Sequence, residues 1–434
     1  MNPLKIALSL LMEHESLDKY ANLSLSSHKT DALSDEERRL LTVLFYTVIE
    51  KRITYDYYIS AISGRSIDDV SPRARNILRL GICQLLDVNS TPDYASVNES
   101  VKLAKSAGER AFVNGVLRAL ARQKETLPLP SYEKNKARYY SVLYSFPQAT
   151  VKHFMSLLGE EGAVALFRCF NSSRYTDITV NLNKTDRNTL LARLLADGYS
   201  ARLSEYSELG IRIEGSVNPT RLYGYSEGLF FVQDEACAVS AQLLAAREGD
   251  RVIDVCSAPG GKSFAVASLM RDSGEIFSFD LQSSKLSLIE SGAERLGIKS
   301  VKVAHRDARD PDPCLIESAD RVLCDVPCSG LGILGKKADI RYKSLDTMAE
   351  LPLLQYEILV ASSRYLKRGG AMIYSTCTLN MAENEGVVER FLDAHPDFSL
   401  EKIELGALSS DGMLTLYPHL HGTDGFFIAK LRRK

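Results

Sequence analysis

The chain has 434 residues, 45% of them hydrophobic and 25% charged, with a formal net charge of −2. That length holds two or three domains, and the balance is that of a globular protein, not of a disordered or low-complexity chain. So small a net charge excludes a grip on nucleic acid spread over the whole surface, and leaves local basic patches as the means of touching phosphates.

The N-terminal apolar run meets Glu13, His14 and Glu15 almost at once. It lacks the basic start and small-residue cleavage site of a secretory signal. No stretch of ~20 apolar residues occurs, so no membrane span is expected. The cysteines at 83, 169, 237, 256, 314, 324, 328 and 377 form no Cys-x-x-Cys pair and have no histidine at ligand spacing. The expectation is a reduced, cytoplasmic protein without zinc or another metal.

Residues 1 to about 130 read as helix. Ser34-Asp-Glu-Glu37 has the form of a capping box before LLTVLFYTVIEKR, whose apolar residues recur at helical spacing. Asp68-Asp-Val-Ser71 with Pro72 starts ARNILRLGICQLLDV; Thr91-Pro92 precedes ASVNESVKLAKSA; AFVNGVLRALARQ makes a fourth helix. Leu127-Pro-Leu-Pro130 then breaks the pattern. Residues 131–220 predict a small α+β unit. A helical stretch over 138–170 is followed by the strand-like DITVNLN, the helix TDRNTLLARLLADGY, and the strands ARLSEY and IRIEG. From 221 to 434, the runs RVIDVCS, EIFSFD, VKVAHRD, RVLCDVP and GAMIYSTC alternate with helical segments. This βαβ series predicts a doubly wound, mostly parallel sheet, with ligands beyond the carboxyl ends of its strands.

The chemistry-bearing residues fall at those ends. Asp254-Val-Cys-Ser-Ala-Pro-Gly-Gly-Lys262 leaves a strand and opens a helix. Its paired glycines allow a tight turn and close approach of backbone to a ligand. The predicted cofactor contacts are Cys256, Ser257, Ala258, Pro259, Gly260, Gly261 and Lys262. Asp280 ends the next strand, where an acid binds ribose hydroxyls. Asp307, after the strand beyond, is placed to hold an adenine amino group. Asp325-Val-Pro-Cys-Ser-Gly-Leu-Gly332 aims the thiol of Cys328 from behind a proline. Tyr374-Ser-Thr-Cys-Thr378 carries Cys377, with Asn384-Glu385 following. Two thiols, an acid and a cofactor turn make a chemical unit. A thiolate adding to carbon 6 of cytosine makes carbon 5 nucleophilic. A second acid/base group speeds loss of the carbon 5 proton. Asp325 can hydrogen-bond the ring near N3 and its amino group, and also border the cofactor. Lys336, Lys337, Arg341 and Lys343 are candidates for phosphate contacts.

At these residues the chain resembles the RNA cytosine-5 methyltransferase family, over roughly 221–434. The resemblance includes Gln233-Asp234 and Asp424-Gly-Phe-Phe427. The N-terminal strings ARNILRLGICQLL, PDYASVNESVKLAK and AFVNGVLR resemble the NusB-type helical RNA-binding domain. The combination is similar to the bacterial enzymes that methylate a small-subunit ribosomal RNA cytosine. The resemblance implies a NusB-like domain (1–130), a ferredoxin- or RRM-like subdomain (131–220) and a Rossmann-like methyltransferase domain (221–434). It implies S-adenosylmethionine as cofactor, 16S ribosomal RNA as partner, a monomer, and the cytosine called C(967) in the family as target. It further implies Cys377 as the attacking thiol and Cys328 as the one assisting release. Three departures stand out. Asn181 occupies a position where the family often has arginine, which removes one expected RNA contact. Ser257 and Ser263 replace a common alanine and threonine. Two other functions remain open: the same chemistry on transfer RNA, and a non-catalytic RNA-binding or antitermination scaffold. A methyltransferase acting on exocyclic nitrogen would need an Asn/Asp-Pro-Pro-Tyr/Phe loop where this chain has Asp-Val-Pro-Cys.

Overall fold

The computed structural model describes residues 2–17, 33–88, 91–172 and 175–434. The chain divides into two compact units, 1–171 with 337–345, and 172–336 with 346–434. The expected breaks at 130 and 220 thus each fall inside a unit.

The first unit is helical: α1 (Pro3–Leu17), α2 (Asp35–Glu50), α3 (Arg52–Ser63), α4 (Pro72–Cys83), α5 (Asp93–Lys102), α6 (Ala107–Arg122), α7 (Lys136–Tyr144) and α8 (Gln148–Phe170). The start signals act as the sequence predicts. Ser34 and Glu37 form a reciprocal capping box. Ser71 accepts from the Ala74 amide with Pro72 in the first turn. Each satisfies backbone donors that a helix leaves free at its start. Leu44, Phe45, Ile77, Leu78, Leu117 and Leu120 are wholly buried in one core. α4 and α6 approach so closely that a Cβ on Gly81 would lie 2.6 Å from Leu117. The helix expected over 138–170 is two helices, because Pro147 cannot continue α7. Its second part is interrupted again at Gly159, whose φ is 71°.

Segment 337–345 belongs to this unit, with Ala338 in its core. Arg341 is buried there, donating to Asn171 Oδ1 at 2.9 Å and to the Phe170 carbonyl at 3.2 Å. Its guanidinium lies over the Phe146 ring. The phosphate contact expected of Arg341 is therefore corrected: its donors are committed inside the protein.

The second unit holds two main sheets. The smaller comprises β1 (Tyr175–Val180), β2 (Ala201–Leu203), β3 (Gly210–Glu214) and β4 (Phe230–Val232), in the order β2-β3-β1-β4, all antiparallel. Its α9 (Arg187–Ala196) buries Leu190 and Leu194 against Ile178, Ile211 and Phe230. Asn181, just past β1, is fully buried. Its amide donates to the Gly228 and Leu296 carbonyls, each at 2.9 Å, and its oxygen accepts from the Asn183 amide. At this position the chain has a structural staple, with no group left over for RNA.

The larger sheet contains β5 (Arg251–Asp254), β6 (Glu275–Asp280), β7 (Val301–His305), β8 (Ala319–Asp325), β9 (Leu366–Thr376), β10 (Phe398–Leu400), β13 (Met413–Leu416) and β14 (Phe426–Arg433), while β11 (Ile403–Leu405) and β12 (Leu408–Ser410) pair separately. The order is β10-β14-β9-β8-β5-β6-β7, with β13 also on β14. β5 to β9 are parallel, as expected; β14 runs antiparallel to β9, and β10 and β13 each pair antiparallel with β14, which the sequence reading did not foresee. Alternate residues feed the two faces: Val252, Leu323, Ile373 and Ile428 one core, Ile253, Val322, Met372 and Phe427 the other. The first core also takes Val239 of α10 (Glu235–Leu243) and Ile289 of α12 (Ser283–Leu296). The chain adds β6 and β7 on one side of β5, then returns to add β8 and β9 on the other. The carboxyl end of β5 is therefore the switch point where open α/β sheets bind ligands.

Removing the Asn181 amide strands two buried carbonyls, at a cost of about 2 kcal/mol. Asn181→Ala is expected to lower the urea midpoint of the second unit accordingly. An unchanged midpoint contradicts the staple.

Candidate active site

The glycine turn follows β5 because Val252 and Ile253 are consumed by the two cores and the chain must then reverse into a helix. α11 (Gly261–Leu269) begins at Gly260, whose φ is 107°; a Cβ there would lie 2.4 Å from Phe264. Only glycine meets both conditions. α11 has no side-chain cap at its start, so its first amides are left as donors. The turn is pinned to the end of β6: Ser257 N and Oγ both donate to the Phe279 carbonyl, at 2.8 and 2.9 Å. Ala258 N donates to Asp280 Oδ2 at 3.1 Å, and Gln282 N to Oδ1 at 2.9 Å. A carboxylate has about four acceptor sites, so Asp280 keeps capacity for hydroxyl donors.

Asp254 lies buried beneath the turn. Ser263 Oγ donates to its Oδ2 at 2.7 Å and pairs with Ser278 Oγ at 2.8 Å, so the serine at this position supplies a hydroxyl to the buried acid. Asp254 Oδ1 is buried without a hydrogen-bond partner. Burial pushes this carboxyl up to about 7. An orphaned acceptor, a turn that admits no Cβ, uncapped helix amides and a ribose-type acid fit an adenosyl cofactor. Asp307 lies beyond β7, partly exposed, and its carboxylate is taken by Arg309 at 2.7 Å. This ion pair and the Arg309 amide hold its carboxyl below the usual range.

Lys262 departs from the simple picture of a cofactor contact. Its ammonium sits 2.6 Å from Asp325 Oδ2 at the end of β8, and 3.5 Å from Cys237 Sγ. Burial opposes its charge, yet Asp325, with Cys237 and Asp254 nearby, holds it well above the usual lysine range. Asp325 Oδ1 accepts from Ser375 Oγ at 2.6 Å; these two residues are direct neighbours in the β8–β9 register. Burial pushes the Cys237 thiol up to about 12 and raises that of Cys256 well above its ordinary value, so neither is a ready nucleophile.

The two thiols of interest converge. Cys328 Sγ and Cys377 Sγ are 3.0 Å apart, each partly exposed. The residues that follow them are latched, Ser329 Oγ to Thr378 Oγ1 at 2.6 Å. Farther along, Gly332 N donates to the Cys377 carbonyl at 3.0 Å, and its own carbonyl accepts from Gly425 N at 2.9 Å. A Cβ on Gly332 would lie 2.0 Å from the Gly425 oxygen. Thr376 Oγ1 donates to Asn384 Oδ1 at 2.6 Å, and Asn384 Nδ2 to the Thr378 carbonyl at 3.0 Å, so Asn384 folds the chain around Cys377. Lys336 spends its ammonium on Asp234 at 2.6 Å and Asp424 at 3.1 Å. It closes the loop, and this corrects the phosphate contact expected of it; Lys337 and Lys343 remain at the surface. The ion pairs of Lys262 and Lys336, and the place of Ser375, escaped sequence reasoning, because they join residues remote in the chain.

Comparison with known proteins agrees with this arrangement. The 16S rRNA methyltransferase RsmB/F family matches residues 241–432, and the NusB family residues 1–122. The chain is 35% identical to the probable ribosomal RNA small subunit methyltransferase B of Bacillus subtilis, covering 99% of this chain and 98% of that protein. It is also 35% identical to the protein of the same name from Synechocystis, covering 99% of each. The crystal structure of PH0851 superposes with a TM-score of 0.81 at 29% identity, covering 100% of this chain and 99% of that one.

Two measurements check the site. Asp280→Ala is expected to weaken S-adenosylmethionine binding about tenfold or more, the worth of a charge-assisted hydrogen-bond pair; unchanged calorimetric affinity contradicts the assignment. Asp254 has its folded pKa raised from 3.8 to about 7. The stability of its protonated form is therefore present below about pH 4 and lost as pH rises through about 7. Asp254→Asn, which imitates that form, is expected to melt with the parent at about pH 4 and above it at about pH 8. A constant offset across this range contradicts it.

Proposed function

This chain belongs to the 16S rRNA methyltransferase RsmB/F family of S-adenosylmethionine-dependent enzymes that methylate small-subunit ribosomal RNA, and from that premise we propose that it methylates carbon 5 of a cytosine through a covalent adduct on Cys377. The proposed target is the cytosine called C(967). The observation that carries the reading is the 3.0 Å approach of two thiols beside the Asp325–Lys262 pair.

The cofactor, when bound, supplies an electrophilic methyl group. The protein does the rest. The Cys377 thiolate adds to carbon 6, and electron density moves to carbon 5. Asp325 accepts from the exocyclic amino group beside N3, and Lys262 and Ser375 keep its carboxylate aimed. Once carbon 5 has taken the methyl group, the Cys328 sulfur removes its proton. The carbon 5–carbon 6 double bond re-forms, and the Cys377 sulfur leaves as thiolate. A non-catalytic scaffold has no use for two opposed thiols or for a lysine buried against Asp325. The helical first unit fits a role in RNA affinity, with the chemistry confined to the second.

The roles of the thiols separate on a denaturing gel. Cys377→Ala is expected to lose methylation and form no covalent complex. Cys328→Ala is expected to transfer the methyl group, stall before elimination, and accumulate a protein–RNA band that survives denaturation. A band with Cys377→Ala alone reverses the roles, and none with either variant contradicts covalent catalysis. Bisulfite sequencing of RNA from cells with and without the protein identifies the cytosine; a protected position other than C(967) contradicts the target.

A further inference from the structure

Glu383 lies in the loop after Cys377, fully buried, and no step described above uses it. Its partners are neutral donors. Ser329 N and Gln355 Nε2 both donate to Oε2 at 2.9 Å, and Asn380 Nδ2 donates to Oε1 at 2.9 Å. Ser329 follows Cys328, and Asn380 lies three residues past Cys377, so one carboxylate holds both thiol-bearing loops. Gln355 comes from α13 (Leu351–Ser363) and also donates to the Pro327 carbonyl at 3.0 Å. The peptide on either side of Cys328 is thereby tied to the same buried acid. The Tyr374 hydroxyl donates to the Glu383 carbonyl at 2.6 Å, which anchors the acid itself to β9.

A buried carboxylate costs more to keep than a neutral side chain of equal shape, unless its charge strengthens bonds that matter. Two of the bonds it strengthens here end on the two thiol loops, and the third, through Gln355, reaches the Cys328 loop at Pro327. We propose that Glu383 is a positioning residue for methyl transfer, setting the opposition of Cys328 and Cys377 through the Ser329 amide, Gln355 and Asn380. The inference rests on the reading of both thiols as working groups. If the acid is lost, three donors are left unpaired, the loops relax, and the spacing that chemistry requires is lost with them.

The test compares Glu383→Ala, Glu383→Gln and Gln355→Leu in the full chain, with two readouts. In steady-state methylation of ribosomal RNA, Glu383→Ala is expected to lower kcat about hundredfold, while KM for RNA and Kd for S-adenosylmethionine stay within about twofold. Glu383→Gln keeps an oxygen for Ser329 and Gln355 and is expected to recover kcat to within about tenfold of the parent. The second readout needs no RNA. Diamide, a dithiol oxidant, couples the two cysteines of the parent, and the linked peptides are followed by mass. Coupling is expected to slow about tenfold or more in Glu383→Ala and to recover in Glu383→Gln. Gln355→Leu, which removes the tether to Pro327 and leaves the acid in place, is expected to slow both reactions and carries the test if Glu383→Ala does not fold. Unchanged coupling in the folded variants, a loss of kcat without rescue by Gln, or a matching rise in KM and Kd overturns the proposal. If coupling and kcat fall as expected but Cys377→Ala still forms an RNA adduct, the assignment of the attacking thiol fails and the positioning role stands.

Discussion

The Asp325 carboxylate has one oxygen on Lys262 and the other on Ser375, both at 2.6 Å. Lys262 stands in the first turn of the helix that opens the cofactor turn; Ser375 lies two residues before Cys377; Asp325 itself lies three before Cys328. One acid thus ties the ends of β8 and β9 to the helix that follows β5, all reached far apart in sequence. A lysine ammonium as buried as this one needs such a partner, since removing either member leaves an uncompensated charge inside the protein. Lys262 thereby reaches from the turn to the end of β8 and holds the Asp325 carboxylate.

The parallel sheet makes that convergence possible. In the β8–β9 register Asp325 faces Ser375, and the loops that leave those two strands carry Cys328 and Cys377. β14 runs antiparallel along β9, pairing Thr376 with Phe427, which brings Gly425 against Gly332 and the Cys377 carbonyl. Lys336 then bridges Asp234 and Asp424. Burial and the Asp234 charge push the Asp424 carboxyl above its usual range. These ion pairs lie within the second unit.

What was legible in the sequence was local. The glycine turn announces itself because paired glycines, a preceding apolar strand and a following helix occur within a dozen residues. The Pro-Cys and Thr-Cys strings stand out because each ends an apolar run, and the capping box at Ser34 is a short-range code. What was illegible needed pairing across the chain. Lys262 and Asp325 are 63 residues apart, Ser329 and Glu383 54. β4, β10, β11 and β12 are three residues long, too short for alternation to register. Arg341 and Lys336 read as free surface cations because charge alone reveals neither the burial of the first nor the ion pairs of the second. Asn181 read as a lost RNA contact, whereas its amide closes two backbone carbonyls.

The central claim is that Cys377 carries the cytosine while the methyl group arrives. Ribosomal RNA substituted with 5-fluorocytosine tests it directly, because fluorine at carbon 5 cannot be removed as a proton and the adduct is arrested after transfer. Incubation with S-adenosylmethionine, digestion and tandem mass spectrometry locate the attachment. The account predicts a methylated fluorocytosine on the peptide containing Cys377, with Cys328 free in the same sample. Attachment to Cys328, or full methyl transfer with no protein-bound nucleotide, would contradict it.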